Sequence, residues 1–252
     1  MKKFCLIQYP PKDSMSKIIF SNYFNKHKLP YIYEDISIPK NLFEKNINKI
    51  LLTYDGINIT IPYKEKIIKF IKINDSAKKI GAVNCIYKNI GYNTDYLGFI
   101  NSLNNLNMPK NITLIGAGGV SRAIIFGLYK IGVKKITLIN RTIEKAFNLK
   151  KIFNYIDIDV MPLTSLNKII KKTDFLINAT SIGMQGETFN LKNNSIKIFY
   201  DTIYYETPLQ KFFKNQNTTV INGKKMWFYQ AIENLKLWNI YEKSFFDFFD
   251  TL

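Results

Sequence analysis

The amino-acid sequence predicts an α/β protein with two lobes and a cleft between them. Short apolar runs of strand length alternate with helical segments along most of the chain, which is typical of parallel sheets covered by helices. A glycine-rich turn joins a strand directly to a helix at residues 112–129. A polar segment that contains Pro109 divides the alternation into two halves, and a helical segment closes the chain.

Length and composition are those of a globular protein. With 252 residues, 46% of them hydrophobic, the chain is long enough for one large domain or for two of about 100–150 residues. No apolar run approaches the ~18 residues of a membrane-spanning helix, and the apolar stretch near the N-terminus is too short for a signal peptide. Cys5 and Cys85 lack metal-ligand spacing, so we expect a reducing cytoplasm and no metal site.

The formal net charge of +17 raises the alternative of a nucleic-acid-binding protein. The lysines, however, are distributed along the chain, and the sequence has neither an arginine-rich tract nor a basic tail. Charge spread in this way is typical of a solvated surface. We therefore expect no nucleic-acid partner.

The first half of the chain is predicted to hold four strands and five helical segments. Pro62 suits the first turn of the helix after the third strand, which places Lys64 in that turn. Residues 89–91 indicate a turn, and Asn93-Thr94-Asp95 provides a helix cap. The strands are expected at residues 4–8, 31–36, 56–60 and 84–87, and the helices at about 17–25, 39–51, 62–71, 77–80 and 95–106.

The second half alternates more regularly, as a parallel sheet covered by helices requires. Its strands are expected at residues 112–115, 136–140, 157–161, 175–178, 196–200 and 218–221. A loop to about residue 194 follows the fourth of these strands. The helices are expected at residues 120–129, 143–153, 164–171 and 208–213, and from residue 224 almost to the C-terminus.

The glycine turn after the strand at residues 112–115 predicts a phosphate-binding site. Glycines let the backbone approach a ligand closely, and the free amides and the dipole of the following helix attract an anion. The dinucleotide fingerprint G-x-G-x-x-G is matched at Gly116 and Gly118, but Ser121 occupies its third glycine position. A tight strand-to-helix connection without a ligand is the structural alternative. The residues expected to hold a pyrophosphate are Gly116, Ala117, Gly118, Gly119 and Val120.

The end of the next strand favours NADP over NAD. An NAD site needs an acidic residue there for the ribose 2′-hydroxyl group, whereas this sequence has Asn140-Arg141-Thr142 and, in the following helix, Lys145. A guanidinium and an ammonium group suit a 2′-phosphate. Arginine occurs only twice in the chain, at Arg122 and Arg141, and both lie in this βαβ unit.

Several polar residues of the first half have both a structural and a functional interpretation. Lys64 is expected in the first turn of a helix, where the helix dipole opposes a positive charge. Asn93-Thr94-Asp95 is first of all a helix start, and Ser14 and Ser16 are expected in a loop or a cap. Considered one at a time, such residues are more often structural than functional.

Considered together, these residues form nine short motifs whose order and spacing resemble those of the shikimate dehydrogenase family over nearly the full chain. The motifs are Pro10-x-x-x-Ser14-x-Ser16, Asn58-x-Thr60-x-Pro62-x-Lys64, Gly81-Ala-Val-Asn84, Asn93-Thr-Asp95, Gly116-Ala-Gly-Gly119, Asn140-Arg-Thr142, Asn178-Ala-Thr-Ser-x-Gly183, Asp201-x-x-Tyr204 and Gly223-x-x-Met226-x-x-x-Gln230-Ala231. Each motif is moderately specific, whereas nine in this order are highly specific.

The resemblance implies the reversible NADPH-dependent reduction of 3-dehydroshikimate to shikimate in the cytoplasm. It implies a substrate domain at residues 1–96, a Rossmann-type, doubly wound NADP domain at 97–222, and C-terminal helices at 223–252 that return to the first lobe. The expected partner is the small-molecule substrate, with no membrane partner, and the chain is expected as a monomer or a homodimer.

The resemblance also implies the roles of the site residues. Lys64 is expected to protonate the ketone oxygen as it is reduced, while Asp95 hydrogen-bonds the same region and holds the ammonium group in place. The expected substrate-binding residues are Ser14, Ser16, Thr60, Asn84, Tyr204 and Gln230. In addition to the residues of the glycine turn and of the segment at 140–145, the expected NADP-binding residues include Thr202 and Gly223.

The sequence departs from the family pattern at a few positions. Asp13 replaces a histidine before the first serine, and Lys17 replaces a proline after the second. An aspartate beside a carboxylate-binding site is expected to weaken substrate binding, although Lys12 and Lys17 offset its charge. The stretch at residues 204–207 is shorter than usual, and Lys224-Lys225 replaces Leu-Gly.

Two alternatives within nucleotide-binding proteins stay open. One is a dehydrogenase for quinate or a related cyclitol acid that uses NAD or NADP; Ser16 argues against the quinate substrate, and the Asn140-Arg141-Thr142 segment argues against NAD. The other is a relative that has lost catalysis, against which the presence of Lys64 and Asp95 argues.

Overall fold

The computed structural model describes residues 1–104, 106–189, 191 and 195–249. The chain divides into two compact units: the first combines Met1–Thr94 with Gln230–Leu252, and the second comprises Asp95–Tyr229. Part of the predicted loop up to residue 194 and the last three residues of the predicted C-terminal segment lie outside the described residues. Within the described part of the chain, no helix has the length and apolar character needed to cross a membrane.

The described residues form twelve strands and ten α-helices. In chain order these are β1 (Lys2–Gln8), α1 (Met15–Lys26), β2 (Tyr31–Ser37), α2 (Phe43–Thr53), β3 (Gly56–Ile59), β4 (Lys72–Ile73), α3 (Asp75–Ile80), β5 (Cys85–Tyr87), β6 (Ile90–Tyr92), α4 (Asp95–Ser102), β7 (Ile112–Ile115), α5 (Gly119–Lys130), β8 (Lys135–Asn140), α6 (Ile143–Ile152), β9 (Asp157–Pro162), α7 (Leu166–Ile169), β10 (Phe175–Asn178), β11 (Ile198–Asp201), α8 (Pro208–Lys214), β12 (Thr219–Ile221), α9 (Gly223–Leu237) and α10 (Ser244–Phe249). Short 3-10 helices lie at Lys66–Phe70, Leu163–Ser165 and Ile170–Lys172.

The first unit is built on a sheet with the strand order β2-β1-β3-β5-β6-β4. β1 is parallel to β2 and β3, but β5 runs antiparallel to β3 and to β6, so the expectation of parallel sheets is wrong for this part of the chain. The reason is a hairpin between β5 and β6, whose turn residues Lys88 and Asn89 both have positive φ angles (49° and 58°). β4 and β6 were outside the predicted strands because they span only two and three residues.

The segment around Lys64 differs from the predicted helix at residues 62–71. Lys64 lies in a turn, and the 3-10 helix Lys66–Phe70 follows it. The β-branched Ile67 and Ile68 disfavour an α-helix, and so short a segment is typical of the tighter 3-10 form. Lys64 therefore does not lie in the first turn of an α-helix, so the predicted opposition of an α-helix dipole to its charge is absent.

Four other predicted helices have different limits in the structure. The helix predicted at residues 164–171 is α-helical only in α7 (Leu166–Ile169), with a 3-10 helix on each side. α2 begins at Phe43 because residues 39–42 form a turn, in which the Leu42 N–H donates to the Pro39 carbonyl oxygen at 2.9 Å. α4 ends at Ser102, short of the expected residue 106. The predicted C-terminal helix is divided into α9 and α10, and Asn239, just after α9, has the positive φ (56°) that ends many helices.

The C-terminal segment packs into the core of the first unit. Trp238 is fully buried and stacks on Phe4 with 4.8 Å between ring centroids, and its indole N–H donates to the Ile86 carbonyl oxygen at 3.2 Å. A Cβ at Gly56 would lie 2.5 Å from the Trp238 indole nitrogen, so only glycine fits at the start of β3. The C-terminal segment from Gln230 onward therefore belongs to the first unit, whereas residues 223–229 of α9 belong to the second.

The second unit is built on an entirely parallel sheet with the order β9-β8-β7-β10-β11-β12. Numbered within the unit, this order is 3-2-1-4-5-6, the doubly wound Rossmann arrangement that the sequence predicted. β7 and β10 are buried at every residue, which explains their uninterrupted apolar character. The strand order reverses between them, and ligands of such sheets bind at the carboxyl ends of the strands at this switch point.

Candidate active site

The switch point of the second unit brings together the loops that follow β7 and β10. At Gly116, directly after β7, φ is +111°, which favours glycine. A Cβ there would lie 2.8 Å from the carbonyl oxygen of Ala179, directly after β10. The first glycine of the predicted turn therefore allows the two loops to pass close to each other.

The rest of the glycine turn leads into the N-terminus of α5. A Cβ on Gly118 would meet no atom within 4 Å, so the backbone at this position borders open space. α5 begins at Gly119, and its first amides and its dipole are available to an anion. Ser121, in the third fingerprint position, is fully buried, and its hydroxyl oxygen accepts the Gly118 N–H at 3.3 Å. Ala117 lies in the same turn, and Val120 in the first turn of α5.

The residues predicted for a 2′-phosphate lie at the end of β8 (Asn140), in the turn that follows it (Arg141 and Thr142) and in the first turn of α6 (Lys145). The Asn140 amide donates to the Thr142 carbonyl oxygen at 2.7 Å and closes a tight turn. Arg141, Thr142 and Lys145 are exposed. The N–H of Gly116 donates to the Ile139 carbonyl oxygen at 2.8 Å, which ties the glycine turn to the end of β8. This part of the unit therefore presents two cations beside the strand adjacent to the glycine turn.

A buried carboxylate, Asp201, connects the loops after β10 and β11. Its side chain is fully buried and accepts four hydrogen bonds, from Asn178 (3.1 Å), the Ile203 N–H (3.2 Å), the Thr207 hydroxyl (2.9 Å) and the Gln210 amide (3.0 Å). Burial raises the pKa of this carboxyl group, and the four donors oppose that effect. Asp201 belongs to one of the nine motifs, but no role was predicted for it.

Asp201 sits next to two predicted cofactor residues. The Thr202 N–H donates to the Asn178 carbonyl oxygen at 3.0 Å, and the Gly223 N–H donates to the Ile203 carbonyl oxygen at 3.0 Å. A Cβ on Gly223 would lie 2.1 Å from the Thr202 carbonyl oxygen, so the structure brings these two predicted residues into contact. Tyr204, predicted for the substrate, is 38% exposed on the same loop.

In the first unit, the segment that carries Thr60 and Lys64 is fixed by backbone hydrogen bonds. The Thr60 N–H donates to the Ile7 carbonyl oxygen at 3.1 Å, and the Val83 N–H donates to the Lys64 carbonyl oxygen at 2.8 Å. Lys64 is only 8% exposed. Lysines are rarely so buried, because an ammonium group is strongly hydrated, and a buried lysine in a polar cluster is a candidate functional group.

Asn84 and Gln230 belong to one buried cluster of amide and hydroxyl groups. Asn84 donates to Gln230 at 3.3 Å and to the Thr94 hydroxyl at 2.9 Å, and its own oxygen accepts the Thr94 N–H at 2.7 Å. The Thr94 hydroxyl donates to Asn234 at 2.7 Å, and Asn234 donates to Gln230 at 3.0 Å. The structure thus joins two predicted substrate residues that lie 146 positions apart. Thr94 and Asn234 were not predicted for the site.

A second chain of hydrogen bonds leads from this cluster to Ser16. The Asn58 amide donates to the Asn84 carbonyl oxygen at 3.1 Å, and the Tyr33 hydroxyl donates to Asn58 at 2.8 Å. Ser16 hydrogen-bonds the same phenol, while burial raises the pKa of Tyr33. Tyr33 was not predicted for the site because it occupies an ordinary position in an alternating strand.

Ser14 lies at the N-cap of α1 and contacts a carboxylate of β2. Its hydroxyl oxygen accepts the Lys17 N–H at 2.9 Å, and its hydroxyl and N–H groups donate to the two oxygens of Asp35 at 2.6 and 2.9 Å. The Asp13 carboxylate is 84% exposed and lies 3.9 Å from the Lys17 ammonium group. The acidic group in contact with Ser14 is therefore Asp35, 21 positions along the chain, and not the neighbouring Asp13.

The predicted catalytic pair is distributed over both units. Lys64 belongs to the first unit, and Asp95 is the first residue of α4 in the second. Asp95 is 7% exposed. A carboxylate in the first turn of a helix is favoured by the helix dipole, and this placement is the one expected from the Asn93-Thr94-Asp95 segment.

Comparisons with known proteins find relatives for both units. Residues 6–86 match the family described as shikimate dehydrogenase substrate binding domain, and residues 101–197 match shikimate / quinate 5-dehydrogenase. The chain is 39% identical over 253 residues to shikimate dehydrogenase of Thermotoga petrophila, with 98% of each chain covered. It is 39% identical over 248 residues to shikimate dehydrogenase (NADP(+)) of Thermotoga maritima, with 97% of this chain and 96% of the relative covered. The crystal structure of shikimate dehydrogenase from Thermotoga maritima superposes with a TM-score of 0.93 at 37% identity and covers 99% of this chain and 98% of its own.

Proposed function

Because the chain belongs to the shikimate dehydrogenase family, we propose that it catalyses the reversible NADPH-dependent reduction of 3-dehydroshikimate to shikimate, a step of aromatic amino-acid biosynthesis. The observation that carries this proposal is that both halves of the chain match the family and that each unit has its own set of site groups. The second unit has the glycine turn at a sheet switch point, and the first has a buried lysine and a buried polar cluster.

The groups of the second unit fit NADP. The open space at Gly118 leaves room for a pyrophosphate against the backbone, and the exposed Arg141 and Lys145 provide the positive charge that a 2′-phosphate needs. When bound, NADPH supplies the hydride. We propose that the chain holds it through Gly116, Ala117, Gly118, Gly119, Val120, Asn140, Arg141, Thr142, Lys145, Thr202 and Gly223.

The groups of the first unit suit a small ring that carries a carboxylate and several hydroxyl groups. Neutral amides and hydroxyls can donate to and accept from ring hydroxyl groups, and serine hydroxyls can donate to a carboxylate. The hydrogen bonds from Tyr33 to Gln230 fix the positions of such groups before a ligand binds, which lowers the entropy cost of binding. We propose that Ser14, Ser16, Thr60, Asn84, Gln230 and, from the second unit, Tyr204 bind the substrate.

Lys64 is the proposed proton donor of the reaction. As the hydride reaches the carbonyl carbon, negative charge develops on the ketone oxygen, and an ammonium group beside it both stabilises that charge and transfers a proton. The low exposure of Lys64 strengthens this electrostatic effect because little water competes for the oxygen. Asp95 is proposed to hydrogen-bond the same region and to orient the ammonium group.

The remaining expectations belong to the same proposal. The substrate domain would comprise residues 1–96 and 223–252, and the NADP domain residues 97–222. Cys5 and Cys85 are both buried thiols, which suits the cytoplasm proposed from their spacing. We propose a monomer or a homodimer with a small-molecule substrate as its partner.

The test is the absorbance of reduced nicotinamide, recorded with purified protein, shikimate or quinate, and NADP or NAD. We expect the absorbance to grow with shikimate and NADP and much more slowly with each other combination. An increase in absorbance chiefly with quinate or with NAD would agree with membership of the family but would contradict the proposed substrate or cofactor specificity. No growth in any combination, from protein that is folded by circular dichroism, would contradict the proposed catalysis.

A further inference from the structure

The contact between Ser14 and Asp35 uses all the donors that Ser14 has. The hydroxyl donates to one carboxylate oxygen of Asp35 at 2.6 Å, and the backbone N–H donates to the other at 2.9 Å. The hydroxyl oxygen also accepts the N–H of Lys17 as the cap of α1. A serine hydroxyl has a single hydrogen. While Asp35 holds it, this hydroxyl has no hydrogen left for another acceptor.

The environment makes this contact a strong one. Ser14 is 7% exposed and Asp35 is half-buried on β2, so the pair is partly removed from water. Hydrogen bonds to a charged acceptor are shorter and stronger than neutral ones, and the observed 2.6 Å is in their range. A second carboxylate that approached Ser14 would need the same donors and would be repelled by the charge of Asp35.

We propose that Asp35 is an additional affinity-determining residue of the substrate site, because it competes with the substrate carboxylate for the donors of Ser14. This inference rests on the proposed function, since it requires Ser14 to bind that carboxylate. When the substrate binds, the Ser14 hydroxyl gives up its hydrogen bond to Asp35 and donates to the substrate carboxylate instead. The negative charge of Asp35 stays close to that carboxylate. The exchange raises the KM for shikimate and does not alter the hydride-transfer step.

Asp13 offers a matched control for the charge of Asp35. It precedes Ser14 directly, but its carboxylate is 84% exposed and pairs with the Lys17 ammonium group at 3.9 Å. Solvent and Lys17 screen its charge. Neutralising Asp13 removes one negative charge, as neutralising Asp35 does. Unlike the change at Asp35, it leaves the hydrogen bonds that Ser14 donates unaltered.

The experiment compares Asp35→Asn and Asp13→Asn by steady-state kinetics with shikimate and NADP. In Asp35→Asn the side-chain NH₂ group donates to the Ser14 oxygen, so the serine hydrogen becomes available and the negative charge is lost. We expect the KM for shikimate to fall about tenfold, the equivalent of one charge-assisted hydrogen bond, with kcat and the KM for NADP unchanged. Asp13→Asn should leave all three constants as they are in the natural protein.

Two results would overturn the inference. A KM for shikimate that stays constant or rises in Asp35→Asn would mean that Asp35 positions Ser14 and does not compete with the substrate. An equal fall in both variants would mean that general charge, and not the contact with Ser14, sets the affinity. The natural protein is measured first, so that absence of turnover contradicts the proposed function, whereas turnover without the expected change contradicts only the role of Asp35.

A second comparison uses the hydroxyl of Ser14 itself. Ser14→Ala should raise the KM for shikimate more in the Asp35→Asn background than in the natural protein, because only there is the hydroxyl hydrogen free for the substrate. Equal increases in both backgrounds would contradict the competition. Asp35→Ser, which also removes the charge and leaves space, serves the same purpose if the asparagine variant does not fold.

Discussion

The two units present their candidate binding groups by different means. In the second unit the groups that suit a nucleotide are backbone amides at a glycine turn and the exposed side chains of Arg141 and Lys145. In the first unit the groups that suit the substrate are buried side chains that hydrogen-bond one another, such as Asn84 and Gln230. A phosphate is recognised by local backbone geometry and charge, whereas a polyhydroxylated ring needs side chains from many segments held in fixed positions.

Because the two units differ in this way, substitutions in them should have different effects. A change in the first unit should disturb substrate use, because its polar groups depend on one another. A change at the exposed cations of the second unit should alter a single contact to the cofactor. The following variants test that contrast, in order of decreasing expected effect.

The largest effect is expected for Lys64→Ala. Loss of the proton donor should lower kcat by about 10²–10⁴-fold, while NADPH binding, measured by fluorescence titration, stays within about twofold. Lys66→Ala, which removes an exposed lysine two residues away, should change neither quantity. Equal losses of turnover and of NADPH binding in Lys64→Ala would contradict the assignment of Lys64 to substrate chemistry.

Arg141→Ala should affect the cofactor alone. Removal of one charge-assisted contact to the 2′-phosphate should raise the KM for NADP by about 10–100-fold and leave the KM for NAD nearly constant. Lys150→Ala, an exposed lysine in the last turn of α6, is the control that should change neither constant. If Arg141→Ala raised both constants equally, the guanidinium group would not be a 2′-phosphate ligand.

Tyr33→Phe should weaken substrate binding indirectly, through the residues that Tyr33 holds in position. The variant keeps the buried ring but removes the hydroxyl group that hydrogen-bonds Asn58 and Ser16. We expect the KM for shikimate to rise about threefold to tenfold and the free energy of unfolding to fall by about 1–3 kcal/mol. Tyr23→Phe removes a hydroxyl that pairs with Ser244 in the same unit. It should lower stability without raising the KM, and equal KM values in the two variants would argue against a positioning role for Tyr33.

The smallest expected effect is a pH dependence of stability that comes from Asp201. Burial raises the pKa of its carboxyl group in the folded state, so the folded protein binds this proton more tightly than the unfolded chain does. The resulting stabilisation is complete below the unfolded pKa and is lost as the pH rises through the folded pKa. In urea unfolding across the mildly acidic range, the natural protein should therefore lose stability relative to Asp201→Asn as the pH rises. Parallel pH profiles of the two proteins would contradict this origin.

The second unit was largely predictable from sequence because its signals are local. The limits of β7 and β10 agree with the prediction, since each is a short apolar run next to a polar or glycine residue. The regular alternation of strands and helices and the handedness of parallel connections limit such a sheet to a few strand orders, and the resemblance to the family implied the Rossmann order among them. Most of the candidate cofactor residues form two short segments, at residues 116–120 and 140–145, each of which has its own composition signal, whereas Thr202 and Gly223 lie outside them.

The first unit was less predictable because its contacts are long-range. The hairpin of β5 and β6 has strands too short to show periodicity, and the turn at Lys64 depends on backbone bonds to Ile7 and Val83. Asp35 and Tyr33 lie in a strand whose alternation gives no sign of what its side chains contact. Only the fold brings Asp35 to Ser14, so the nearby negative charge was predicted at Asp13, its neighbour in the chain.

The stacking of Trp238 on Phe4 has a consequence for the order in which the newly made chain becomes structured. The first unit needs segments from both ends of the chain, so the earliest residues leave the ribosome long before their partner is synthesised. At about 5–20 residues per second, the roughly 140 residues from Thr94 to Trp238 take on the order of 10–30 s. The second unit is continuous in sequence and is made within that interval, so we expect it to fold first. Until Trp238 has been synthesised, the aromatic side chains near the N-terminus stay accessible to chaperones.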